Sequence, residues 1–307
     1  MKALITGGAG FIGSHLADLL LSKGWTVVSA DVSEDVRNIS HLIGKEGFEH
    51  VRMDVNDTAE LCEAAEGCDI IYHMAANSDI RASGKDPDID FRNTLMTTRS
   101  VLKCMRMHGP GRLFFPSTSA VYGDRGTELL NEELGNPEPV SYYGACKLAS
   151  EALISAYTHM NSFSSVIFRF PNVAGPRLTH GVIFDFIDKL RKNPDRLEIL
   201  GDGNQDKQYV HVLDLVRGIV KFTGDMSTGI RTYNISSGSS VTVRRIADIV
   251  CEEMGVSPEY VYTGGRTGWK GDVPCFRYDT AKAEREGWVY EHDSEGAVRE
   301  TVRSVLG

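Results

Sequence analysis

The stretch Thr6-Gly7-Gly8-Ala9-Gly10-Phe11-Ile12-Gly13 decides the fold, because of what stands on either side of it. The apolar run Ala3–Ile5 before it is typical of a buried strand, and the residues from Ile12 to Lys23 have a helical pattern. Glycines in such a loop permit a tight turn and let backbone N–H groups approach a pyrophosphate at the helix N-terminus. The order of strand, glycine loop and helix therefore predicts a dinucleotide site contacted by Gly7, Gly10, Phe11, Ile12 and Gly13.

An acidic residue indicates which dinucleotide this loop holds. Asp31 ends the second predicted strand, and a carboxylate there accepts hydrogen bonds from a ribose diol and repels a 2′-phosphate. Val32 and Ser33 follow it, rather than a basic residue, so NAD is favoured over NADP. The alternative for Asp31 is a solvated turn residue.

Two further strand ends carry residues that suit a cofactor. Asp54 and Val55 follow the third predicted strand and are expected at the adenine edge. Ala75 and Ala76 follow the fourth predicted strand and are small enough for the backbone to approach the cofactor. Either pair could equally be a plain strand end.

Strands and helices alternate through the first half of the chain. The predicted strands there are Ala3–Ile5, Thr26–Ser29, Glu49–Met53, Ile70–His73, Leu113–Pro116 and Val166–Phe170. The predicted helices between them are Ile12–Lys23, Val36–Ile43, Thr58–Glu66, Asp88–Met107 and Tyr142–Tyr157. This alternation predicts an α/β protein with a Rossmann-type, doubly wound parallel sheet.

The second half is less regular and predicts a smaller α/β substrate-binding domain. Its predicted elements are helices at Val182–Arg191, Val212–Phe222, Val243–Met254, Thr280–Glu286 and Glu295–Val305, and a strand at Thr232–Ile235. We expect an NAD-binding domain over residues 1–170, to which part of 205–240 returns, and a sugar-nucleotide-binding domain over 171–307.

Bulk composition disfavours several classes of function. The chain has 307 residues and a net charge of -9 without a basic run, so no nucleic-acid partner is expected. The six cysteines form no C-x-x-C pair, which indicates free thiols in a reducing compartment. No apolar run approaches the roughly 18 residues of a membrane span, and no signal peptide is recognised at the start. These features predict a cytoplasmic protein without a membrane partner and without a metal.

The spacing of Tyr143 and Lys147 predicts an acid/base group. Residues four apart share a helix face, and an ammonium near a phenol lowers the phenol's pKa from its usual value of about 10. A place in the first helical turn would lower this pKa further. The same spacing recurs at Tyr278 and Lys282, but that copy has no glycine loop before it, so we interpret it as a surface helix.

Together, these motifs resemble those of the extended short-chain dehydrogenases/reductases, in the NAD-dependent sugar-nucleotide epimerase/dehydratase family. The resemblance covers nearly the whole chain. Besides the elements already named, it rests on the sequences Ser117-Thr118-Ser119-Ala120-Val121-Tyr122-Gly123, Arg169-Phe170-Pro171-Asn172, Tyr209-Val210-His211-Val212 and Gly271-Asp272-Val273.

The family resemblance implies a role for several residues. Thr118 matches the residue that bonds the reacting sugar hydroxyl, Tyr143 the general base/acid, and Lys147 the lysine that holds the nicotinamide ribose. Asn93 and Phe170 match residues of the cofactor site. In the substrate half, Asn172 and Lys207 match residues near the nucleotide diphosphate, and Arg266 matches a phosphate-binding arginine. Lys207 stands where many relatives have arginine. Many relatives also have the sequence R-x-G-D, with an arginine three residues before the aspartate that matches Asp272. This chain has Trp269 there, so Arg266 lies at a shifted position.

The resemblance also favours one reaction. Relatives that dehydrate or decarboxylate carry acids just after the residue at position 118, where this chain has Ser119 and Ala120. Without them, return of hydride to the opposite face of a 4-keto sugar is the simplest outcome, which is C4 epimerisation of a nucleotide sugar of the UDP-glucose/UDP-galactose type. The alternatives are a dehydratase or decarboxylase of the same family and a non-catalytic NAD-binding sensor. The resemblance to this family also implies a homodimer.

Overall fold

A computed structural model describes residues 1–77, 84–107, 109–224, 227–269 and 271–307. Seven strands form one sheet in the order β12-β7-β5-β4-β1-β2-β3, which confirms the predicted α/β fold. The strands of this sheet are β1 (Lys2–Thr6), β2 (Thr26–Asp31), β3 (Phe48–Arg52), β4 (Ile70–His73), β5 (Arg112–Thr118), β7 (Ser164–Phe170) and β12 (Gly229–Asn234).

The strand order reverses between β1 and β4, and this reversal positions the cofactor loop. The pairs β1–β2, β2–β3, β1–β4 and β4–β5 are parallel, with Leu4 beside Val28 on one side and Ile71 on the other. Ligands of open α/β sheets bind at such a switch point, beyond the carboxyl ends of the strands. The glycine loop leaves the end of β1 there, beside the residues that follow β4.

Helices and short strand pairs complete the fold. The helices are α1 (Phe11–Ser22), α2 (Thr58–Ala64), α3 (Thr97–Met107), α4 (Tyr142–Asn161), α5 (Val182–Lys192), α6 (Val212–Gly224), α7 (Val243–Met254), α8 (Ala281–Arg285) and α9 (Ser294–Leu306). The short strands are β6 (Leu129–Leu130), β8 (Asn172–Ala174), β9 (Arg196–Ile199), β10 (Asp206–Lys207), β11 (Tyr209–His211), β13 (Val241–Thr242), β14 (Glu259–Tyr262) and β15 (Arg277–Tyr278).

The helix predicted over Val36–Ile43 is wrong. Only one 3₁₀ turn forms there, at Arg37–Ile39. Polar side chains take the local hydrogen bonds instead: Asn38 Nδ2 donates to the Ala9 carbonyl at 3.2 Å, and Ser40 Oγ donates to the Arg37 carbonyl at 3.0 Å. Such side-chain bonds to the backbone compete with a regular helix.

The helix predicted over Asp88–Met107 forms, but it is not uniform. A single turn at Asp88–Asp90 continues into a π-helical segment, Phe91–Met96, before α3 begins. The hydroxyl of Thr98 donates to the Thr94 carbonyl at 2.7 Å, a bond that competes with the helix's own ladder. Short π segments inside helices occur frequently at functional sites, and this one contains Asn93.

The chain divides into two compact units. Unit 1 comprises Met1–Val121, Tyr142–Arg169 and Val216–Tyr233, and unit 2 comprises Tyr122–Ser141, Phe170–Leu215 and Asn234–Gly307. The returning segment is therefore 216–233, and unit 2 also includes 122–141, which the sequence prediction places in the first domain.

Each unit has its own apolar core. In unit 1, Leu4, Ile71 and Phe115 from the sheet pack with Val101 and Leu102 of α3. In unit 2, side chains of α5, α7 and α9 pack together, among them Phe186, Ile249 and Val298. Among the described residues, no helix has the length and apolar character needed to cross a lipid bilayer.

The close approach at the switch point gives a first prediction. Gly7 has a φ of +69°, and a Cβ there would lie 2.7 Å from Ala75 N, whereas Gly24 has a φ of +76° and open space around it. Gly24→Ala should cost only the left-handed backbone strain, about 1–2 kcal/mol. Gly7→Ala should lower the free energy of unfolding by about 1–3 kcal/mol more, because the clash is with backbone. Urea denaturation of both variants measures this, and equal losses would show that the contact with Ala75 does not matter.

Candidate active site

The glycine loop is fixed by the second strand and leaves the start of α1 open. Gly7 N donates to the Ala30 carbonyl at 2.8 Å. One Asp31 oxygen accepts from Ala9 N at 3.0 Å and the other from Ser33 N at 3.0 Å. Gly10 is the N-cap of α1, where no side chain caps the helix. The uncapped first turn suits a pyrophosphate, so the residues present fit NAD. Asp31 takes part in the loop's own hydrogen bonding and is therefore not a merely solvated turn residue.

Thr6 joins the loop to the end of β4. Its hydroxyl bonds His73 Nδ1 at 2.8 Å and accepts from Ala75 N at 3.3 Å. Burial, with a smaller effect from the Lys147 charge, lowers the pKa of His73 to about 3. His73 is therefore neutral at physiological pH. Its ring bonds the same Thr6 hydroxyl that accepts from Ala75 N.

The other predicted cofactor residues belong to unit 1, with the exception of Phe170. Asp54 is exposed and accepts from Asn56 N at 2.9 Å, while Val55 beside it is buried. Ala76 is partly buried after β4, and Asn93 is exposed in the π-helical segment. Phe170, at the end of β7, belongs to unit 2 and is buried.

The side chains of Thr118 and Tyr143 meet. Thr118 ends β5, α4 begins at Tyr142, and a hydrogen bond joins the Thr118 and Tyr143 side chains. The two elements approach closely because of Gly144, where a Cβ would lie 2.6 Å from the Ala120 carbonyl oxygen. Tyr143 thus lies in the first turn of its helix.

The expected lowering of the Tyr143 pKa is not found in the protein alone. Burial raises the pKa of Tyr143 above its ordinary value, the charge of Asp90 raises it further, and only the bond to Thr118 lowers it. The Lys147 Nζ atom lies 5.9 Å from the centre of the Tyr143 ring. The desolvation of the phenol therefore outweighs the influence that the spacing suggested.

Lys147 is a buried cation. Its side chain is 2% exposed, and Nζ donates to the Pro116 carbonyl at 2.7 Å and lies 4.5 Å from the centre of the Phe115 ring. Burial lowers the pKa of Lys147 to about 7, although Glu151 and Asp90 act to raise it. An ammonium with such a pKa changes charge near neutral pH.

Glu151 compensates this charge, and the sequence reading missed it. Its carboxylate accepts from the Ser117 hydroxyl and from Arg169, whose Nε lies 3.0 Å from Oε1. Paired Arg and carboxylate groups of this kind are strong and directional. Its spacing could have identified it, because Glu151 lies four residues after Lys147 and eight after Tyr143, on the same helix face.

A second missed carboxylate is Asp90. It is fully buried, and one oxygen accepts from Asn77 Nδ2 at 2.8 Å. Its charge raises the pKa of both Tyr143 and Lys147. Its position three residues before Asn93 was the only sequence clue.

The predicted substrate residues other than Thr118 belong to unit 2. Asn172 begins β8 beside Tyr209 and shares a side-chain hydrogen bond with it. Lys207 is paired with the buried carboxylate of Asp272, so it is not simply solvated. Arg266 is 66% exposed and lies 3.4 Å from an Asp124 oxygen.

The second tyrosine–lysine pair is not the surface helix that the sequence reading assigned. Tyr278 is buried in β15, which pairs with β6, and Lys282 lies on the separate helix α8. The two residues therefore do not share one helix face, and only the first copy of the spacing forms one.

Comparison with known proteins agrees with this geometry. Residues 3–236 match the model of the NAD dependent epimerase/dehydratase family. A putative UDP-glucose 4-epimerase of Methanocaldococcus jannaschii is 31% identical over 97% of this chain and 96% of its own length.

Two solved structures are also similar. A UDP-galactose 4-epimerase is 34% identical, with a TM-score of 0.88 over 100% of this chain and 99% of its own. A UDP-glucuronic acid 4-epimerase of Bacillus cereus, in complex with UDP-glucuronic acid and NAD, is 28% identical, with a TM-score of 0.90 over the same shares. The chain belongs to the NAD-dependent epimerase/dehydratase family. The predicted family and NAD cofactor are thereby confirmed, and the chain is an enzyme of this family.

The buried ammonium gives a second prediction. Above pH 7 the folded state has lost the Lys147 proton, but the unfolded state keeps it up to about 10.5. Stability should therefore rise with pH in this window, by up to about 1.4 kcal/mol per pH unit. Lys147→Met removes this contribution, so the wild-type slope from about pH 7.5 to 9 should exceed the variant's.

Urea denaturation of NAD-free protein at several pH values measures both slopes. Subtracting the variant's slope cancels the contribution of every other titrating group that the two proteins share. Parallel curves for the two proteins would mean that Lys147 keeps an ordinary pKa.

Proposed function

We propose that this enzyme is an NAD-dependent 4-epimerase of a UDP-linked hexose, of the UDP-glucose/UDP-galactose type. The observation that carries the proposal is the Tyr143–Thr118 hydrogen bond beside the buried Lys147, followed after Thr118 by Ser119 and Ala120. This set supplies one acid/base group for one carbon, and the positions directly after Thr118 supply no acid for an elimination. The similarity to 4-epimerases supports the same reaction.

The chemistry divides between cofactor and protein. NAD, when bound, accepts a hydride from the sugar and returns it. Tyr143 takes the proton of the 4-hydroxyl and gives it back, which is general base and then general acid catalysis. Thr118 holds the reacting hydroxyl next to Tyr143, and the Lys147 ammonium stabilises negative charge as it develops on the phenol.

We assign the remaining residues to binding. The glycine loop at Gly7, Gly10 and Gly13, with Asp31, holds the adenosine half of NAD. Asn172, Lys207 and Arg266 are assigned to the nucleotide diphosphate. The Lys207–Asp272 pair presents a positioned ammonium, which binds phosphate as a point charge rather than through a fork. Exposed Arg266 has the bidentate geometry that phosphate prefers.

One observation favours a second candidate. Dehydration or decarboxylation needs an additional acid or base, and the fully buried Asp90 carboxylate is near enough to raise the pKa of Tyr143. A dehydratase or decarboxylase that draws on Asp90 is therefore the second candidate.

A panel of sugar nucleotides separates these functions. Purified protein with NAD is incubated with UDP-glucose, UDP-N-acetylglucosamine, UDP-glucuronate and dTDP-glucose, and the products are followed by NMR and mass spectrometry. We expect inversion at C4 of a UDP sugar with unchanged mass. Loss of water or carbon dioxide from the product would favour the second candidate, and turnover of the dTDP sugar alone would contradict the UDP assignment.

Tyr143 can be tested against its neighbour in the same helical turn. Tyr143→Phe should keep NAD binding but lower turnover by about 10²–10⁴-fold, the usual worth of a general acid/base. Tyr142→Phe is the control, because that exposed side chain stands outside the proposed mechanism. Steady-state kinetics with the preferred substrate gives both rates. Near-normal turnover in Tyr143→Phe would remove Tyr143 from the mechanism.

A further inference from the structure

Four ionisable side chains converge in unit 2, and none of them is assigned to the reaction. His211 ends β11, and Asp214 lies in the first turn of α6. His292 comes just before α9, and Glu300 lies within that helix. One ligand atom each from His211, Asp214 and His292 lie within 4.8 Å of one another. The cluster thus joins residues that are about 90 positions apart in the sequence.

Asp214 fixes the orientation of His292. Its fully buried carboxylate oxygen Oδ2 accepts from His292 Nδ1 at 2.9 Å and from the His292 backbone N at 3.1 Å. A proton on Nδ1 leaves the lone pair of a neutral imidazole on Nε2. This carboxylate–histidine arrangement is the usual support of a metal-binding histidine.

The two imidazoles present Nε2 atoms to the same carboxylate oxygen. Glu300 Oε2 lies 3.2 Å from His292 Nε2 and 3.4 Å from His211 Nε2. The rings stack, with centroids 4.1 Å apart and planes inclined by 34°. Leu213 N donates a long hydrogen bond of 3.4 Å to His211 Nδ1, and metal binding at Nε2 would move the ring proton to Nδ1 and replace this bond.

These separations suit a tetrahedral ion. Zinc binds histidine nitrogen at about 2.0–2.1 Å and carboxylate oxygen at about 2.0–2.2 Å. Two ligands at a tetrahedral angle are then about 3.3–3.5 Å apart, close to the two distances measured to Glu300. Its side chain is 42% exposed, so an aqueous ion has a path to the site.

We propose that this cluster is a binding site for a divalent transition-metal ion, Zn²⁺ in the first instance. His211 Nε2, His292 Nε2 and Glu300 Oε2 are the ligands, and Asp214 is the group that orients His292. The fourth position is left to water. Such an ion would join the C-terminal helix α9 to the β11–α6 junction. The proposal is independent of the epimerase function.

The ring geometry favours neutral imidazoles. Two imidazolium rings with centroids 4.1 Å apart would repel each other, and His211 is fully buried, where a positive charge is costly. The neutral form is the one that binds a metal. Nitrogen ligands also favour zinc and its neighbours over Mg²⁺ and Ca²⁺.

The test uses the full chain without a histidine tag, freed of metal by a chelator. Co²⁺ is titrated as a spectroscopic stand-in for Zn²⁺, and Zn²⁺ binding is then measured by calorimetry and by competition with bound Co²⁺. We expect one saturable site, a visible absorption band typical of tetrahedral Co²⁺, displacement by Zn²⁺ and no displacement by excess Mg²⁺.

Three variants assign the ligands. Glu300→Gln and His292→Gln should each weaken Zn²⁺ binding by at least about 10–100-fold, since even outer-shell changes cost that much. His41→Gln is the matched control, because His41 is an exposed imidazole that already contacts Asp18 at 2.6 Å, and it should bind as the wild type does. Zinc should raise the melting temperature of the wild type and the control only.

Either of two results would overturn the proposal. One is the absence of a saturable one-to-one site for Co²⁺ and Zn²⁺ in the wild type. The other is wild-type affinity in both Glu300→Gln and His292→Gln, which would place the ion elsewhere. Melting curves without metal show whether each variant is folded, so a loss of binding is not confused with a loss of structure.

Discussion

The packing around the reactive tyrosine depends on one buried positive charge, the ammonium of Lys147. Transfer of an isolated charge out of water is very costly unless it is paired and hydrogen-bonded. Here Pro116 supplies a carbonyl oxygen and Glu151 supplies the opposite charge. Glu151 is in turn held by Arg169. Since these groups come from β5, α4 and β7, the need to compensate one ammonium ties three elements of unit 1 together.

The four-residue spacing of Tyr143 and Lys147 does not by itself predict that the two residues share a helix face. The second copy, Tyr278 and Lys282, is split between a buried strand and a separate helix. The first copy lies on one helix, and Gly144 lets the start of that helix approach the Ala120 carbonyl. Sequence spacing determines which residues can share a helix face. Whether the segment forms a helix, and where that helix lies, depends on tertiary packing.

Features set by local sequence were predictable, and features set by long-range contacts were not. The glycine loop, the parallel sheet and helix α7 follow from short patterns, and α7 has the predicted ends. The ion pair of Lys207 with Asp272, the carboxylates of Glu151 and Asp90, and the sign of the Tyr143 pKa shift depend on residues distant in the sequence. The helix predicted at Val36–Ile43 is wrong because its polar side chains bond the backbone, Ser40 within the segment and Asn38 at the distant Ala9.

Asp90 has opposite consequences for Tyr143 and Lys147, the two members of the proposed catalytic pair. Its negative charge raises the pKa of Tyr143, which makes the phenol a poorer proton donor to solvent, and it also raises the pKa of Lys147, which favours the ammonium. With Asp90 and burial both acting against the phenolate, the protein alone keeps Tyr143 protonated at neutral pH. Under the proposed mechanism, additional positive charge near the phenol is needed to make this tyrosine a base, so its proton transfer would depend on an assembled site.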